Sequence, residues 1–300
     1  PGAWADIDND GDADFFHWGG VGKLVLNQGE KGFEDISDHL PDLPTRVSLG
    51  ASLGDFNGDG FVDIYVGGYE GPGYLTDVMY FNNGDTTFRE VWRTKGTTMP
   101  ARGITSADYD EDGDLDIFMT HWNNDYETSK QLFWVNDGTG TFSDQTIEYL
   151  GIPQNANFDR WTFTPNITDI NEDGWLDVLL TGDFGTTRIL YSNSTVNNQL
   201  TFSTTQPPVI TDENGMGAAL ADYDNDGDLD WFVTSIYDPD GQAEGNWGTS
   251  GNRLYRNTGM GVFEDATDEA GLRHGFWGWG ACFADFNNDG WQDVLLGTKN

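Results

Sequence analysis

Short apolar stretches alternate with polar turns along this chain, and the alternation repeats at long range. Six nine-residue segments carry the pattern D-x-[DN]-x-D-G-x-x-D: DIDNDGDAD from Asp6, DFNGDGFVD from Asp55, DYDEDGDLD from Asp108, DINEDGWLD from Asp169, DYDNDGDLD from Asp222 and DFNNDGWQD from Asp285. Their starts lie 49, 53, 61, 53 and 63 residues apart. Small residues precede each loop, as in Gly50-Ala51-Ser52-Leu53-Gly54 and Gly217-Ala218-Ala219-Leu220-Ala221. A β-rich run follows each, as in Val62-Asp63-Ile64-Tyr65-Val66. After the first five loops comes a second run ending near Asn-x-Gly, as in Met79-Tyr80-Phe81-Asn82 and Leu254-Tyr255-Arg256-Asn257, and then a third around Phe33, Phe88, Phe142, Phe202 and Phe263. No helical period competes with this pattern, so each unit predicts four short strands.

Four strands in about 50 to 60 residues, repeated in tandem, is the arithmetic of a propeller blade. The predicted fold class is therefore all-β: a β-propeller of four-stranded blades, with an ion-binding loop between strands one and two of each blade. One domain spans residues 1–300, with blades near 1–44, 45–97, 98–157, 158–211, 212–272 and a partial one at 273–300. Small residues on the first strand suit a crowded axis where blades converge. The sixth unit carries only its first two strands, which predicts an excerpt of a longer chain: about 5.5 blades, with seven in the full ring and six or eight as alternatives.

Charge changes this picture more than composition does. The 300 residues hold 51 Asp and Glu against 14 Lys and Arg, a net charge of −37. That excess opposes compaction and leaves no basic surface for nucleic acid or anionic lipid. Forty-two aromatic residues argue against the disorder that strong acidity otherwise suggests. No apolar run is long enough to span a membrane as a helix, so no direct membrane insertion is expected. The single Cys282 excludes an intramolecular disulfide, and its apolar flanks predict a buried, inert thiol. The first residues already lie inside the repeat, so the lack of a signal peptide says nothing about export.

The acid is concentrated. The six loops occupy 54 positions and hold 26 of the 51 carboxylates. Two like charges about 4 Å apart repel by roughly 4 kcal/mol at an effective dielectric near 20, so such loops need a cation between their oxygens. Loop positions one, three and five can turn oxygens inward, glycine at six allows a sharp turn, position seven can offer a carbonyl, and the aspartate at nine closes the shell. The expected metal ligands are Asp6, Asp8, Asp10, Asp12 and Asp14; Asp55, Asn57, Asp59, Phe61 and Asp63; Asp108, Asp110, Asp112, Asp114 and Asp116; Asp169, Asn171, Asp173, Trp175 and Asp177; Asp222, Asp224, Asp226, Asp228 and Asp230; Asp285, Asn287, Asp289, Trp291 and Asp293. All-oxygen ligands in a flexible loop favour Ca²⁺ over Zn²⁺ and Mg²⁺, giving about six Ca²⁺, one per loop. Loop position twelve is His17, Val66, Met119, Leu180, Val233 and Leu296, which excludes the bidentate glutamate of an EF-hand. The loops alternate: the odd ones carry Asp at position three, the even ones Asn there and an aromatic residue at seven. Ligand charge predicts tighter binding by the odd loops.

The pattern resembles the FG-GAP and VCBS repeats of integrin-α-type propellers. Phe263-Glu264-Asp265-Ala266-Thr267-Asp268-Glu269-Ala270-Gly271-Leu272 is similar to the F-x-D-x-T-x-x-A-G-L segment of the cartilage acidic protein and ASPIC/UnbV type. Phe33-Glu34-Asp35-Ile36-Ser37 and Phe142-Ser143-Asp144-Gln145-Thr146 are weaker copies. The resemblance implies an extracellular, Ca²⁺-loaded seven-bladed propeller with a recognition or adhesion role, and the missing cysteines favour a bacterial secreted or surface protein.

No catalytic constellation is visible. His17, His39, His121 and His274 stand in no zinc or triad spacing, and nucleophile-elbow, P-loop and C-x-x-C motifs are absent. A binding face can be argued instead. The end of each blade opposite the metal loops collects His17, Trp18, Tyr74, His121, Trp122, Tyr126, Arg160, Trp161, Tyr237, Trp247 and Trp277. Flat rings beside polar groups suit sugar or peptide recognition; the other reading is packing between blades. The function expected is a non-enzymatic recognition or adhesion module for a glycan or an extracellular protein. The alternatives are the propeller of a secreted polysaccharide lyase-like enzyme and a scaffold domain of a surface protein.

Overall fold

The computed structural model describes residues 2–18, 22–41, 50–71, 74–94, 101–122, 133–150, 161–193, 200–203, 206–240 and 248–299. The chain is all-β in architecture and forms two compact units, residues 1–159 and 160–300.

The first unit holds three four-stranded antiparallel sheets, each in sequence order. Sheet one is β1 (Gly2–Ala5), β2 (Asp14–His17), β3 (Lys23–Asn27) and β4 (Phe33–Asp35). Sheet two is β5 (Gly50–Gly54), β6 (Asp63–Gly71), β7 (Tyr74–Asn82) and β8 (Phe88–Arg93). Sheet three is β9 (Ala101–Ala107), β10 (Asp116–His121), β11 (Phe133–Asn136) and β12 (Phe142–Asp144). A one-turn helix, α1 (Thr146–Leu150), follows; its single turn is too short to leave a period in the sequence. The second unit holds sheet four, β13 (Thr162–Thr168), β14 (Asp177–Gly182), β15 (Arg188–Asn193) and β16 (Thr201–Ser203), and sheet five, β17 (Ala218–Ala221), β18 (Asp230–Val233), β19 (Arg253–Asn257) and β20 (Phe263–Asp265). It ends in a two-stranded sheet six, β21 (Trp277–Ala284) and β22 (Asp293–Lys299). Each four-stranded meander has the topology of a propeller blade.

The second strands of sheets two to five read as apolar runs because both of their faces are buried, with successive side chains pointing to opposite faces. Ile64 and Val66 of β6 pack with Phe16, Leu24 and Leu26 of sheet one. Tyr65, between them, packs with Ile117, Met119 and Phe142 of sheet three. In the second unit, Trp231 and Val233 of β18 meet Leu179 and Ile189 of sheet four, while Phe232 meets Phe283, Val294 and Leu296 of sheet six. One residue step therefore changes which neighbouring sheet a side chain serves.

First strands of neighbouring sheets run close together. A Cβ on Gly217 would lie 2.1 Å from the carbonyl oxygen of Trp279, so only glycine lets the segment entering β17 approach the backbone of β21. In the first unit, the Ser52 and Ser106 hydroxyls on β5 and β9 hydrogen-bond at 2.9 Å.

The F-x-D-x-[ST] segment seen in the sequence is a clamp on the outer strand. The hydroxyls of Ser37, Thr146 and Thr267 each accept the N–H of a third-strand residue, Leu24, Phe133 and Leu254, at 2.9 to 3.1 Å. The aspartate two residues earlier accepts the clamp residue's own N–H at 3.0 to 3.1 Å.

Cys282 departs from expectation: it is exposed, not buried. It pairs with Leu295 across β21 and β22, on the face turned away from Phe232 and Leu254, and Leu295 is 59% exposed. Among the described residues of the second unit no sheet lies over that face. The apolar flanks of Cys282 thus reported burial of the alternate residues, Ala281 and Phe283, which do face sheet five.

Phe232 and Leu295 hold equivalent positions, the second after the closing aspartate, yet differ in burial. Phe232→Ala should cost about 3–5 kcal/mol of unfolding free energy, and Leu295→Ala under about 1 kcal/mol. Urea unfolding followed by tryptophan fluorescence measures both.

Candidate metal centres

Each loop is folded by its own carboxylates. The aspartate at position one accepts the N–H groups of positions five and six at 2.8 to 3.1 Å in all six loops. The glycines at position six, from Gly11 to Gly290, have φ between 89° and 102°, a region closed to other residues without strain. Position four is also left-handed: Asn9, Gly58, Glu111, Glu172, Asn225 and Asn288 have φ of 58° to 70°. That second requirement was not read from the sequence, although asparagine or glycine at four of these six positions hints at it.

The aspartate at position nine has a larger structural role than closing a shell. One oxygen accepts the N–H of loop position two at 2.7 to 3.2 Å in every loop. In the first five, the other accepts the N–H at the end of the third strand, from Asn27, Asn82, Asn136, Ser192 and Asn257, at 2.7 to 2.9 Å. The asparagines then pass the linkage to the preceding sheet. The side-chain amides of Asn82, Asn136 and Asn257 donate to the carbonyls of Ile7, Phe56 and Ile170 at 2.9, 2.7 and 3.0 Å. The Asn-x-Gly repeat was visible in the sequence, but this use of it is decided by tertiary contact.

Burial makes these carboxylates costly to ionise. Desolvation, increased by neighbouring loop carboxylates, pushes Asp63 and Asp116 up to about 7 and Asp177 and Asp230 up to about 6. Asp8, Asp110 and Asp224, at position three of the odd loops, are raised for the same reasons.

Odd and even loops then separate. In the odd loops three carboxylates converge: Asp6, Asp8 and Asp10; Asp108, Asp110 and Asp116; Asp222, Asp224 and Asp230, each set with one oxygen per residue within 4.8 Å of the others. The Oδ1 atoms of Asp110 and Asp224 are buried without a hydrogen-bond partner. A buried, unpartnered carboxylate oxygen beside two others is what a divalent cation would satisfy. In the even loops, the Asn171 and Asn287 amides instead donate to Asp173 and Asp289, both at 3.1 Å, so a potential ligand is spent on its neighbour. No three-carboxylate set forms there among the described residues.

The expected recognition residues scatter. His121 is fully buried, so it packs and presents nothing to solvent. Trp18 packs on the core between sheets one and two, and half-buried His17 has its ring 6.3 Å from Phe15. Trp122 stacks beneath the Arg102 guanidinium at 5.7 Å. Tyr74 opens β7, while Tyr126, Arg160 and Trp247 lie outside the described residues. In the second unit, Trp161 meets Phe184 edge-on at 5.1 Å, Tyr237 meets His274 at 4.5 Å, and Trp277 stacks on Trp279 at 6.2 Å. Phe184 was missed; only its place between Asp183 and Gly185 in a tight turn could have signalled it.

The FG-GAP-like repeat family model matches residues 6–66, 55–119, 169–233 and 237–296, which is most of the chain. The chain belongs to the FG-GAP-like repeat family. Three of these FG-GAP-like matches begin on the first aspartate of a loop and end within the second strand of the next sheet, so the matched unit bridges two blades. Cartilage acidic protein 1 of Xenopus tropicalis is 31% identical over 159 residues, and that of Mus musculus 32% over 160. Each match covers 52% of this chain and 24% of the relative, so this FG-GAP-like chain matches about a quarter of the length of its curated relatives. Among solved structures, an Agrocybe aegerita lectin specific for non-reducing terminal N-acetylglucosamine aligns at a TM-score of 0.54 and 20% identity, over 88% of this chain and 64% of its own. A structure of BBS1N in complex with ARL6DN aligns at 0.54 and 10% identity, over 99% and 76%. These two likenesses concern the fold alone.

Because burial raises Asp63, Asp116, Asp177 and Asp230 above the ordinary carboxylate value of about 3.9, the ion-free folded state binds more protons at these four groups than the unfolded chain does. Their contribution to stability is full below that value and is lost as pH rises through 6 to 7. In excess EDTA the melting temperature should therefore be higher near about pH 5.5 than near about pH 7.5. Calorimetry at the two pH values checks the sign, and added divalent cation should shrink the difference.

Proposed function

We propose that this chain is a calcium-stapled, extracellular recognition module without enzymatic activity, binding a glycan or a protein through the sheet ends opposite its metal loops. The observation that carries the reading is the convergence of three carboxylates in each odd loop, with the buried Oδ1 atoms of Asp110 and Asp224 lacking any other partner. All-oxygen donors on a turn suit Ca²⁺. Positions one, three, five and nine would hold the ion by carboxylate or amide oxygen and position seven by its carbonyl, giving up to six ions. Bound calcium would supply charge neutralisation and a fixed turn between the first two strands.

Calcium outside cells reaches the concentrations that weak loops need, which supports a secreted or surface location. The family match and the relatives named cartilage acidic protein 1 support a repeat domain that binds rather than transforms. The similarity in fold to a lectin supports a glycan as one ligand class.

Calcium binding only to the folded chain must stabilise it. Millimolar Ca²⁺ should raise the melting temperature well above that in EDTA, and Mg²⁺ should do less; an unchanged melting curve would refute calcium as the staple. Screening the calcium-loaded protein on a glycan array, beside an assay for unsaturated sugar products, separates recognition from lyase activity.

The two loop classes should differ in affinity. Asp110→Asn should weaken calcium binding at the third loop by about tenfold, the equivalent of roughly 1.4 kcal/mol. Asn57→Asp should strengthen binding at the second. Calorimetric titration of each variant against the wild type measures the change.

A further inference from the structure

Two phenylalanines in the second unit sit where their backbone is strained and their rings face water. Phe184 has φ of 58° and Phe276 φ of 54°, and they are 53% and 70% exposed. A bulky residue rarely adopts this region, and holding it there costs about 1–3 kcal/mol. A largely exposed ring returns little burial to offset that cost, least of all at Phe276. Both lie at the same end of their sheets. Phe184 follows β14, a second strand, and Phe276 precedes β21, a first strand; the metal loops join the opposite ends.

Phe276 stands beside a cavity of about 300 Å³, lined also by Tyr237, Asp238, Asp240 and His274. That volume is at the lower end of small-molecule sites. The frame is fixed by backbone. The Tyr237 N–H donates to the Phe276 carbonyl at 2.8 Å, and the Gly251 N–H to the Ile236 carbonyl at 3.1 Å. Gly251 has φ of 67°, and a Cβ there would lie 2.5 Å from the Arg273 carbonyl oxygen. Tyr237 and His274 brace each other edge to face, with their rings 85° apart.

We infer that this cavity is a subsite for one uncharged pyranose residue, with the sugar's C–H face on Phe276 and its hydroxyls directed to Asp238, Asp240 and His274. The inference rests on the recognition reading above and narrows its ligand to a glycan. A flat exposed ring offers the apolar platform, carboxylates accept hydrogen bonds from hydroxyl pairs, and an imidazole can donate or accept. Two carboxylates in the cavity and the net charge of −37 disfavour uronic acids. The rigid backbone limits the ordering cost of binding.

The test uses calcium-loaded protein and ligand-observed saturation-transfer NMR with free methyl glycosides of glucose, galactose, mannose and N-acetylglucosamine, beside galacturonate and methylammonium. At least one neutral glycoside should bind and galacturonate should not. Phe276→Gly should weaken that glycoside about tenfold or more without lowering the melting temperature, because glycine relieves the left-handed strain. Asp238→Asn and Asp240→Asn should weaken it as well.

A neutral glycoside whose binding is insensitive to Phe276→Gly overturns the subsite and leaves the recognition reading standing. Binding of methylammonium alone points to a cationic side chain of a protein ligand and overturns the sugar assignment. A lower melting temperature for Phe276→Gly shows that the ring is structural and overturns the inference. Failure of every probe, together with a blank glycan array, overturns both the subsite and the glycan reading.

Discussion

A buried carboxylate that holds two backbone N–H groups is the interaction on which the rest of each blade depends. The position-nine aspartate ties the start of the loop to the end of the third strand, so one side chain sets the relation of three strands. Charged hydrogen bonds of this kind contribute about 1.5–3 kcal/mol each. The next asparagine carries the linkage across to the neighbouring sheet, as Asn82 does to Ile7. Loop geometry, strand register and sheet spacing are thus fixed by a short polar chain rather than by apolar packing alone.

The same carboxylate carries an electrostatic cost. Taking Asp116 out of water raises its proton affinity, and Asp110 and Asp112, at loop positions three and five, raise it further. Protonation or a divalent ion can relieve that cost, and the two compete for the same oxygens. The odd loops keep three carboxylates together, and the third and fifth leave a buried oxygen unpartnered. In two of the even loops, a side-chain amide answers one carboxylate internally. Alternation between Asp and Asn at position three therefore divides equivalent turns into two electrostatic classes.

With one end of each sheet committed to these loops, the opposite end is free to vary. There the second unit carries its strained, exposed rings, whereas in the first unit His121 and Trp18 are absorbed into packing. A rigid ladder of sheets can hold an aromatic side chain in an unfavourable backbone conformation because its flanking hydrogen bonds over-determine it. Exposed apolar surface at such a position is a better marker of recognition than aromatic composition, which reports mostly packing.

Periodicity by itself determined the strand count per unit, the all-β class and the six acidic loops. The repeat of D-x-[DN]-x-D-G-x-x-D constrains local backbone, and local backbone is written residue by residue. The alternation of Asp8, Asp110 and Asp224 with Asn57, Asn171 and Asn287 was equally legible, since it needs only chemistry and spacing. Tertiary structure alone decided what each side chain meets. Cys282 and Phe283 are adjacent and equally apolar in context, yet one faces solvent and the other sheet five. Asn82 and Asn136 look like turn residues until the preceding sheet supplies the carbonyl they bind. Burial and partnership depend on sheets tens of residues away, and a nine-residue pattern carries no information about which face a distant sheet will cover.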